Sequence, residues 1–345
     1  MEKIRWGVLS TAHIGRTQVI PAICRADNAE IVAIASRTSK VHAIAEELQI
    51  PKAYESYEEL LDDSEIDAVY IPLPNHLHKE WVIRAAQKGK HVLCEKPMAL
   101  TELEADEMFA TCKEYGVKLM EAFMYQLHPQ HARAKEIIAS GEIGEIKLMK
   151  SSHSFYLQNR STDIRMDAAM GGGSIYDVGC YAIQAIRHLT DAEPVEVLAE
   201  GDIDPATGID LTAIVRMKMS NGIHALFDCS FDMVSRNEYE VIGTEGSLKV
   251  PFAFRPDLNG HIGTVLVHKN GVTREERISG DIYRLEIEQF SNAILTDMEP
   301  AITADSTLKN MRTINACYRS LETEEKVQME GTEETFYNRR FPDPF

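Results

Sequence analysis

The first third of the chain alternates short, wholly apolar runs with segments whose apolar positions recur at helical spacing. Residues 4–9 (Ile-Arg-Trp-Gly-Val-Leu) read as a strand and 14–26 as a helix. The alternation repeats with a strand at 29–35, a helix at 39–48, a strand at 68–71, an amphipathic helix at 77–88 ended by Gly89, and a strand at 91–94. Thr101 with Glu104 is a capping signal for a helix running to residue 115, and 118–121 closes the series. Runs that are apolar on both faces belong to buried parallel strands, and strand–helix alternation demands right-handed crossovers. The expectation is a doubly wound parallel sheet, a Rossmann domain over residues 1–124.

Beyond that point the period changes. After a helix at 128–140, strands of alternating character dominate. Segments 211–219 and 223–231 flank Asn221-Gly222, 238–242 and 247–250 flank Gly243-Thr244-Glu245-Gly246, and 264–268 and 272–276 flank Asn270-Gly271. Each pair reads as a hairpin. A helix at 174–189 follows three consecutive glycines, and late helices at about 282–295 and 306–321 are expected to pack on one or both domains. The second domain, 125–345, is therefore expected to be α/β with a largely antiparallel open sheet.

Composition narrows the function. A formal charge of −18 over 345 residues excludes a nucleic-acid or anionic-membrane surface but leaves room for a local basic pocket. The six cysteines show no CxxC spacing and the twelve histidines no metal constellation, so reduced thiols and no metal are expected. The start of the chain carries no signal-peptide apolar stretch, and no apolar run approaches membrane-spanning length. A soluble, cytoplasmic protein is the expectation.

Four places carry candidate chemistry. The turn after the first strand holds Ser10, Thr11, Ala12, His13, Ile14 and Gly15. A dinucleotide loop needs small residues there, so that a pyrophosphate reaches the backbone at a helix N-terminus. Ser10 and Ala12 replace the first two glycines of that pattern and keep the approach close, with strain if Ser10 takes positive φ. Alone, the depleted loop fits any tight turn; its place at the first strand of a βαβ unit gives it weight. The second strand ends in Ser36-Arg37-Thr38-Ser39-Lys40, without the acidic residue that accepts from the ribose 2′-hydroxyl of NAD. Arg37 and Lys40 supply charge and Ser36 a hydroxyl, while Thr38 or Ser39 serves as donor or helix cap. That set suits a 2′-phosphate, so NADP is preferred and NAD remains possible.

Glu95-Lys96-Pro97 follows the strand at 91–94. The Lys96 ammonium stands where open α/β sheets bind ligands, and Pro97 stiffens its turn; a solvated charged turn is the plainer reading of three residues alone. In the second domain Asp177 and Tyr181 are four apart, so a carboxylate and a phenol share one helix face. An exposed helix face is the ordinary alternative. The glycines at 171–173 tilt the balance, since they let substrate or nicotinamide approach the backbone.

Together, residues 7–15, Pro72-Leu73-Pro74-Asn75-His76-Leu77-His78, residues 89–97 and residues 171–181 resemble the glucose–fructose oxidoreductase/inositol dehydrogenase (Gfo/Idh/MocA) family, over essentially the whole chain. Trp6-Gly7, Met120-Glu121-Ala122-Phe123 and Tyr181 are similar to its branch with dimeric dihydrodiol dehydrogenase and NADP-dependent sugar dehydrogenases. The resemblance implies hydride transfer between nicotinamide C4 and a carbinol or carbonyl carbon of a sugar, polyol or cyclic diol. It implies that Tyr181 exchanges the hydroxyl proton, at a position where many members carry histidine. Lys96 would lower the phenol pKa and hold the substrate oxygen, and Asp177 would orient either group and balance charge. It also places Leu73, Pro74, Asn75 and His78 along the nicotinamide ribose, with Glu95 at the ribose or anchoring the turn. Asn75 reads equally as a helix cap.

Arg165, ahead of the glycines, and Tyr125, at the domain junction, are candidate substrate contacts. Gln126 stands where relatives often have arginine and is given no role; His76, His128, Tyr156 and Asn159 rank lower. One face of the second sheet needs cover, and a homodimer or homotetramer through it is expected. Two other functions fit the fold. A glycosidase-like enzyme with retained NAD would show tightly held cofactor and no net turnover. A non-catalytic sensor has no need of Lys96, Asp177 and Tyr181 together.

Overall fold

The computed structural model describes residues 2–329. Among these the first unit opens with β1 (Ile4–Leu9), α1 (Ile20–Arg25), β2 (Ala29–Ala35), α2 (Lys40–Glu47), β3 (Lys52–Tyr54) and α3 (Tyr57–Asp62). It continues with β4 (Ala68–Ile71), α4 (His78–Gln87), β5 (His91–Glu95), α5 (Glu102–Glu114) and β6 (Leu119–Ala122). The strands form one parallel sheet in the order β3-β2-β1-β4-β5-β6. Strand order reverses at β1, so the crevice past the carboxyl ends of β1 and β4 is the topological switch point. Val8, Leu9, Val69, Tyr70, Ile71, Val92 and Leu93 are buried, which explains the continuous apolar runs. Thr101 caps α5 by accepting the Glu104 N–H at 3.1 Å, while the Glu104 carboxylate reaches back to Leu100 N–H at 3.0 Å. The short β3 and α3 carry too few residues to display a period, and sequence patterning passed over both.

The second unit contains α6 (Pro129–Ala139), β7 (Ile146–Tyr156), α7 (Cys180–Thr190), β8 (Pro194–Ile203), β9 (Asp210–Met219) and β10 (His224–Ser230). Then follow β11 (Asp232–Gly243), β12 (Gly246–Val250), β13 (Ile262–Lys269) and β14 (Val272–Ser279). Pairing is antiparallel throughout except between β7 and β10. The three expected hairpins form. At the β13–β14 turn Asn270 and Gly271 take φ of 53° and 74°, the left-handed pair that a two-residue hairpin loop requires. Strand β7, central in the sheet, was not anticipated: Lys150, Ser151, Ser152, His153 and Ser154 disguise it as a polar segment.

After β14 come α8 (Ile282–Leu295), α9 (Ala304–Thr323) and β15 (Val327–Gln328), which pairs with β8. Two compact units result. One holds the residues to Met124 together with Asp281–Leu308; the other holds Tyr125–Gly280 and the chain from Lys309 onward. A single division at 124/125 had assigned Asp281–Leu308 to the second domain. The correction has a clear cause: Ile282, Tyr283, Ile287 and Phe290 give α8 a buried apolar face that lies against β1 and β2. The Trp6 indole N–H donates to Ser291 Oγ at 3.2 Å and fastens it there.

Candidate functional site

Strand β1 delivers Ser10 to the switch point, its N–H still bonded to the Ala35 carbonyl at 3.0 Å. Ser10 has φ of 135°, backbone that favours glycine, and its Oγ accepts the Ala12 N–H at 2.9 Å. That bond offsets part of the strain. A π-helical turn, Gly15–Val19, then leads into α1. The amides opening this helix are donors of the kind a phosphate uses. Thr11, Ala12 and Ile14 are half-buried and His13 is exposed.

At the end of β2, Ser36 is buried, whereas Arg37 and Lys40 are exposed. The Arg37 guanidinium lies 5.9 Å from the Tyr57 ring centroid, and neither cation is ion-paired with another described residue. Ser39 occupies the N-cap of α2 without a side-chain cap bond. These residues fit a dinucleotide: small side chains at 10 and 12, a positive φ, a helix start, and two exposed cations with no carboxylate partner among the described residues.

Strand β5 ends at Glu95. The Tyr70 hydroxyl, from β4, donates to Glu95 Oε1 at 2.6 Å, and the Lys96 N–H reaches Oε2 at 3.2 Å. The Lys96–Pro97 peptide is cis and Lys96 is half-buried. Beneath this turn the fully buried Glu121 accepts the Met98 N–H at 2.8 Å. His78, expected along the nicotinamide ribose, is instead wholly buried. Its Nε2 lies 2.8 Å from the Leu73 carbonyl and its Nδ1 3.0 Å from the Pro97 carbonyl. Burial holds its pKa down, and a neutral imidazole can donate to only one of these oxygens. His78 therefore staples the segment after β4 to the lysine turn from behind. Asn75 opens a short 3-10 turn, Asn75–Leu77, and the cap position of α4 falls to Leu77.

In the second unit Gly172 and Gly173 meet a need of the chain itself, since neither position has room for a Cβ. A Cβ on Gly172 would come within 2.5 Å of the Arg165 carbonyl. On Gly173, whose φ is 125°, it would meet Asp210 Oδ1 at 2.2 Å and Tyr318 Oη at 2.6 Å. Asp210 is buried and accepts from Ser174 Oγ at 2.9 Å, Ile175 N–H at 2.7 Å and Tyr318 OH at 3.0 Å, so an anion holds the start of this helix. A second π-helical turn, Ile175–Gly179, carries Asp177 and leads into α7, where Tyr181 sits. Such turns inside helices recur at functional sites.

Arg165 lies in the 3-10 turn Ile164–Met166. Its Nε donates to Asp177 Oδ2 at 2.7 Å and its Nη1 to Asp163 Oδ1 at 3.3 Å; Asp177 foremost pushes the guanidinium pKa up. Two expected site residues are thus brought together. Tyr181 is buried against Tyr125, His153 and Phe254, with ring centroids 5.6, 5.1 and 5.5 Å away. Tyr125 is buried too, its hydroxyl donating to Gln184 Oε1. Asp210, His153 and Phe254 escaped sequence reasoning. Asp210 opens a strand, His153 sits in the disguised β7, and no short motif links either to its partner.

Residues 4–123 match the oxidoreductase family with an NAD-binding Rossmann fold, and residues 131–249 match the GFO/IDH/MocA C-terminal domain. The chain belongs to this family, NAD(P)-dependent oxidoreductases that move a hydride between nicotinamide and a carbinol or carbonyl carbon. Its sequence is 41% identical over 326 residues to D-xylose 1-dehydrogenase (NADP(+)) 2 of Haloferax volcanii, covering 94% of this chain and 99% of that protein. Its fold superposes on aldose–aldose oxidoreductase from Caulobacter crescentus, complexed with glycerol, with a TM-score of 0.88. That pair shares 27% identity, and the match covers 95% of this chain and 100% of the other. A 3-ketoreductase from Actinomadura kijaniata in complex with NADP and TDP-benzene gives a TM-score of 0.87 at 29% identity, over 93% and 98% of the two chains.

Proposed function

We propose that this protein is an NADP-preferring dehydrogenase or reductase acting on a CH–OH group of an aldose or a related polyol or cyclic diol. The observation that carries the cofactor preference is the pair Arg37 and Lys40, exposed and without a carboxylate partner among the described residues, where a 2′-phosphate would stand. Similarity to a xylose dehydrogenase that uses NADP(+) supports both the cofactor and the aldose. When bound, the nucleotide supplies the hydride donor or acceptor at nicotinamide C4.

The chain supplies the rest. Ser10, Thr11, Ala12, His13 and Ile14 hold the pyrophosphate on backbone amides, Ser36, Arg37 and Lys40 take the 2′-phosphate, and Leu73, Pro74, Asn75 and Glu95 bound the nicotinamide ribose. Lys96 holds the substrate oxygen by its ammonium, Tyr181 exchanges the hydroxyl proton, and Asp177 balances the charge. Arg165 fixes the Asp177 carboxylate, and Tyr125 bounds Tyr181 on one side. Exposed Ile214 and Leu226 lie on the outer face of β9 and β10, which supports a homo-oligomer through that sheet. All six cysteines are free, consistent with a reducing cytoplasm, and among the described residues no helix is long and apolar enough to cross a membrane.

The test is nicotinamide absorbance with purified protein against aldoses, inositols and cyclic diols, using NADP and NAD separately. Turnover with one substrate class and NADP is expected. Tight NADPH binding with silence across the panel would contradict it and favour retained cofactor or a sensor. Arg37→Asp should move the ratio of kcat/KM for NADP over NAD down by about tenfold or more, the loss of one charged contact to phosphate. An unmoved ratio removes the 2′-phosphate argument.

A further inference from the structure

We propose that Tyr70 is a positioning residue for the reaction, clamping Glu95 so that the turn carrying Lys96 keeps one orientation above one negative charge. The inference rests on the assignment of Lys96 given above. Tyr70 is fully buried on β4, with its hydroxyl 2.6 Å from Glu95 Oε1. Its Cε1 stands 3.7 Å from the place a Gly15 Cβ would occupy, so the same ring underlies the first helical turn of the phosphate loop. The other Glu95 oxygen accepts the backbone N–H of Lys96. One side chain thereby borders both regions, its ring beside Gly15 and its hydroxyl on Glu95.

The charged and titratable groups around Glu95 come from every neighbouring element. They are Tyr70 from β4, Cys94 and Lys96 from its own strand and turn, and Glu286 from α8, with Glu121 of β6 beside Cys94 and Tyr283 of α8 beside Tyr70. Glu286 is buried and its Oε1 has no hydrogen-bond partner among the described residues. Burial first, and the Glu95 charge second, hold its carboxyl well above the usual range. The same two causes raise the Tyr70 phenol and the Cys94 thiol. Burial and the Glu95 charge thus favour the protonated forms of Tyr70, Cys94 and Glu286, and the Tyr70 hydroxyl donates to Glu95. A charge-assisted bond of this kind fixes the acceptor more firmly than a neutral one.

The experiment is the pH dependence of kcat, with Tm alongside, for Tyr70→Phe, Glu95→Gln and the double variant. Phenylalanine keeps the packed ring and removes only the donor. Kcat near neutral pH should fall about tenfold, with KM for NADP within about twofold. The acid limb should move up by about one pH unit, because the Glu95 anion loses its donor and protonates more readily. The double variant should be no slower than Glu95→Gln alone, since the two residues act as one unit. Unmoved kcat and acid limb in Tyr70→Phe, or losses that multiply in the double variant, overturn the proposal. If Tyr70→Phe folds poorly, fluorotyrosine placed at position 70 strengthens the donor and should move the acid limb down; movement up or none overturns it. Lys96→Met separates the two readings. If it turns over normally, the assignment of Lys96 fails; if it is inactive while Tyr70→Phe is normal, only the present inference fails.

Discussion

The lysine turn and the glycine-led helix start each present a proposed catalytic group, yet they are held in opposite ways. Lys96 stands on a turn fixed by strand neighbours: Glu95 beside it, Tyr70 one strand over, His78 stapled to Pro97 from the following helix. Its supports lie within a few dozen residues and follow from parallel strand order. The start of the helix carrying Asp177 and Tyr181 is held by Asp210, itself bonded to Tyr318 at a separation of 108 residues. The first arrangement is built from local chain and adjacent strands, the second from distant chain brought in by the fold. The difference decides what a substitution does: damage to the turn should reach chemistry before stability, and damage to the helix start should reach both.

The largest expected effect separates those cases. Lys96→Met should lower kcat by about a thousandfold or more while NADPH binding, followed by fluorescence titration, and Tm stay close to the parent's. Collapse of Tm would show the turn to be as structural as the helix start. Gly173→Ala should fail the other way. Its Cβ has no room beside Asp210 and Tyr318 and the backbone is at a φ of 125°, so unfolding in denaturant should show a loss of about 3 kcal/mol, with activity falling in step. A loss under about 1 kcal/mol would mean that the Asp210 cradle yields.

The smallest effect belongs to the turn after β1, proposed above to hold the pyrophosphate. Ser10→Gly relieves a positive φ, about 1 kcal/mol, and gives up the Ser10–Ala12 bond, of similar worth. Stability and NADPH affinity should each shift by less than about 1 kcal/mol. A large loss in either would make the serine hydroxyl indispensable to the loop.

Legibility in the sequence followed the same divide. The parallel sheet, the tight turn after β1, the lysine turn and the hairpins at Asn221-Gly222 and Asn270-Gly271 were readable because period and turn chemistry are local. The pattern raised a positive φ at Ser10 as a condition, and Ser10 has φ of 135°. The buried contacts of His78, Gly172 and Gly173 were not legible along the chain. They are with the carbonyls of Leu73 and Pro97 for the histidine and with Arg165, Asp210 and Tyr318 for the glycines. Membership of α8 in the first unit, the central place of β7, and the Arg165–Asp177 pair depend on where distant segments meet, which no local pattern encodes.

The central claim is that this chain moves a hydride between a sugar carbinol carbon and nicotinamide. The most direct measurement uses the substrate that the panel of aldoses, inositols and cyclic diols identifies, deuterated at its reacting carbon, with NADP, reading the isotope in the reduced nucleotide by mass spectrometry and the rate against unlabelled substrate. The account predicts deuterium at nicotinamide C4 and a slower labelled reaction. Oxidised substrate without deuterium in the nucleotide, or no oxidation of any aldose, inositol or cyclic diol offered, would contradict it.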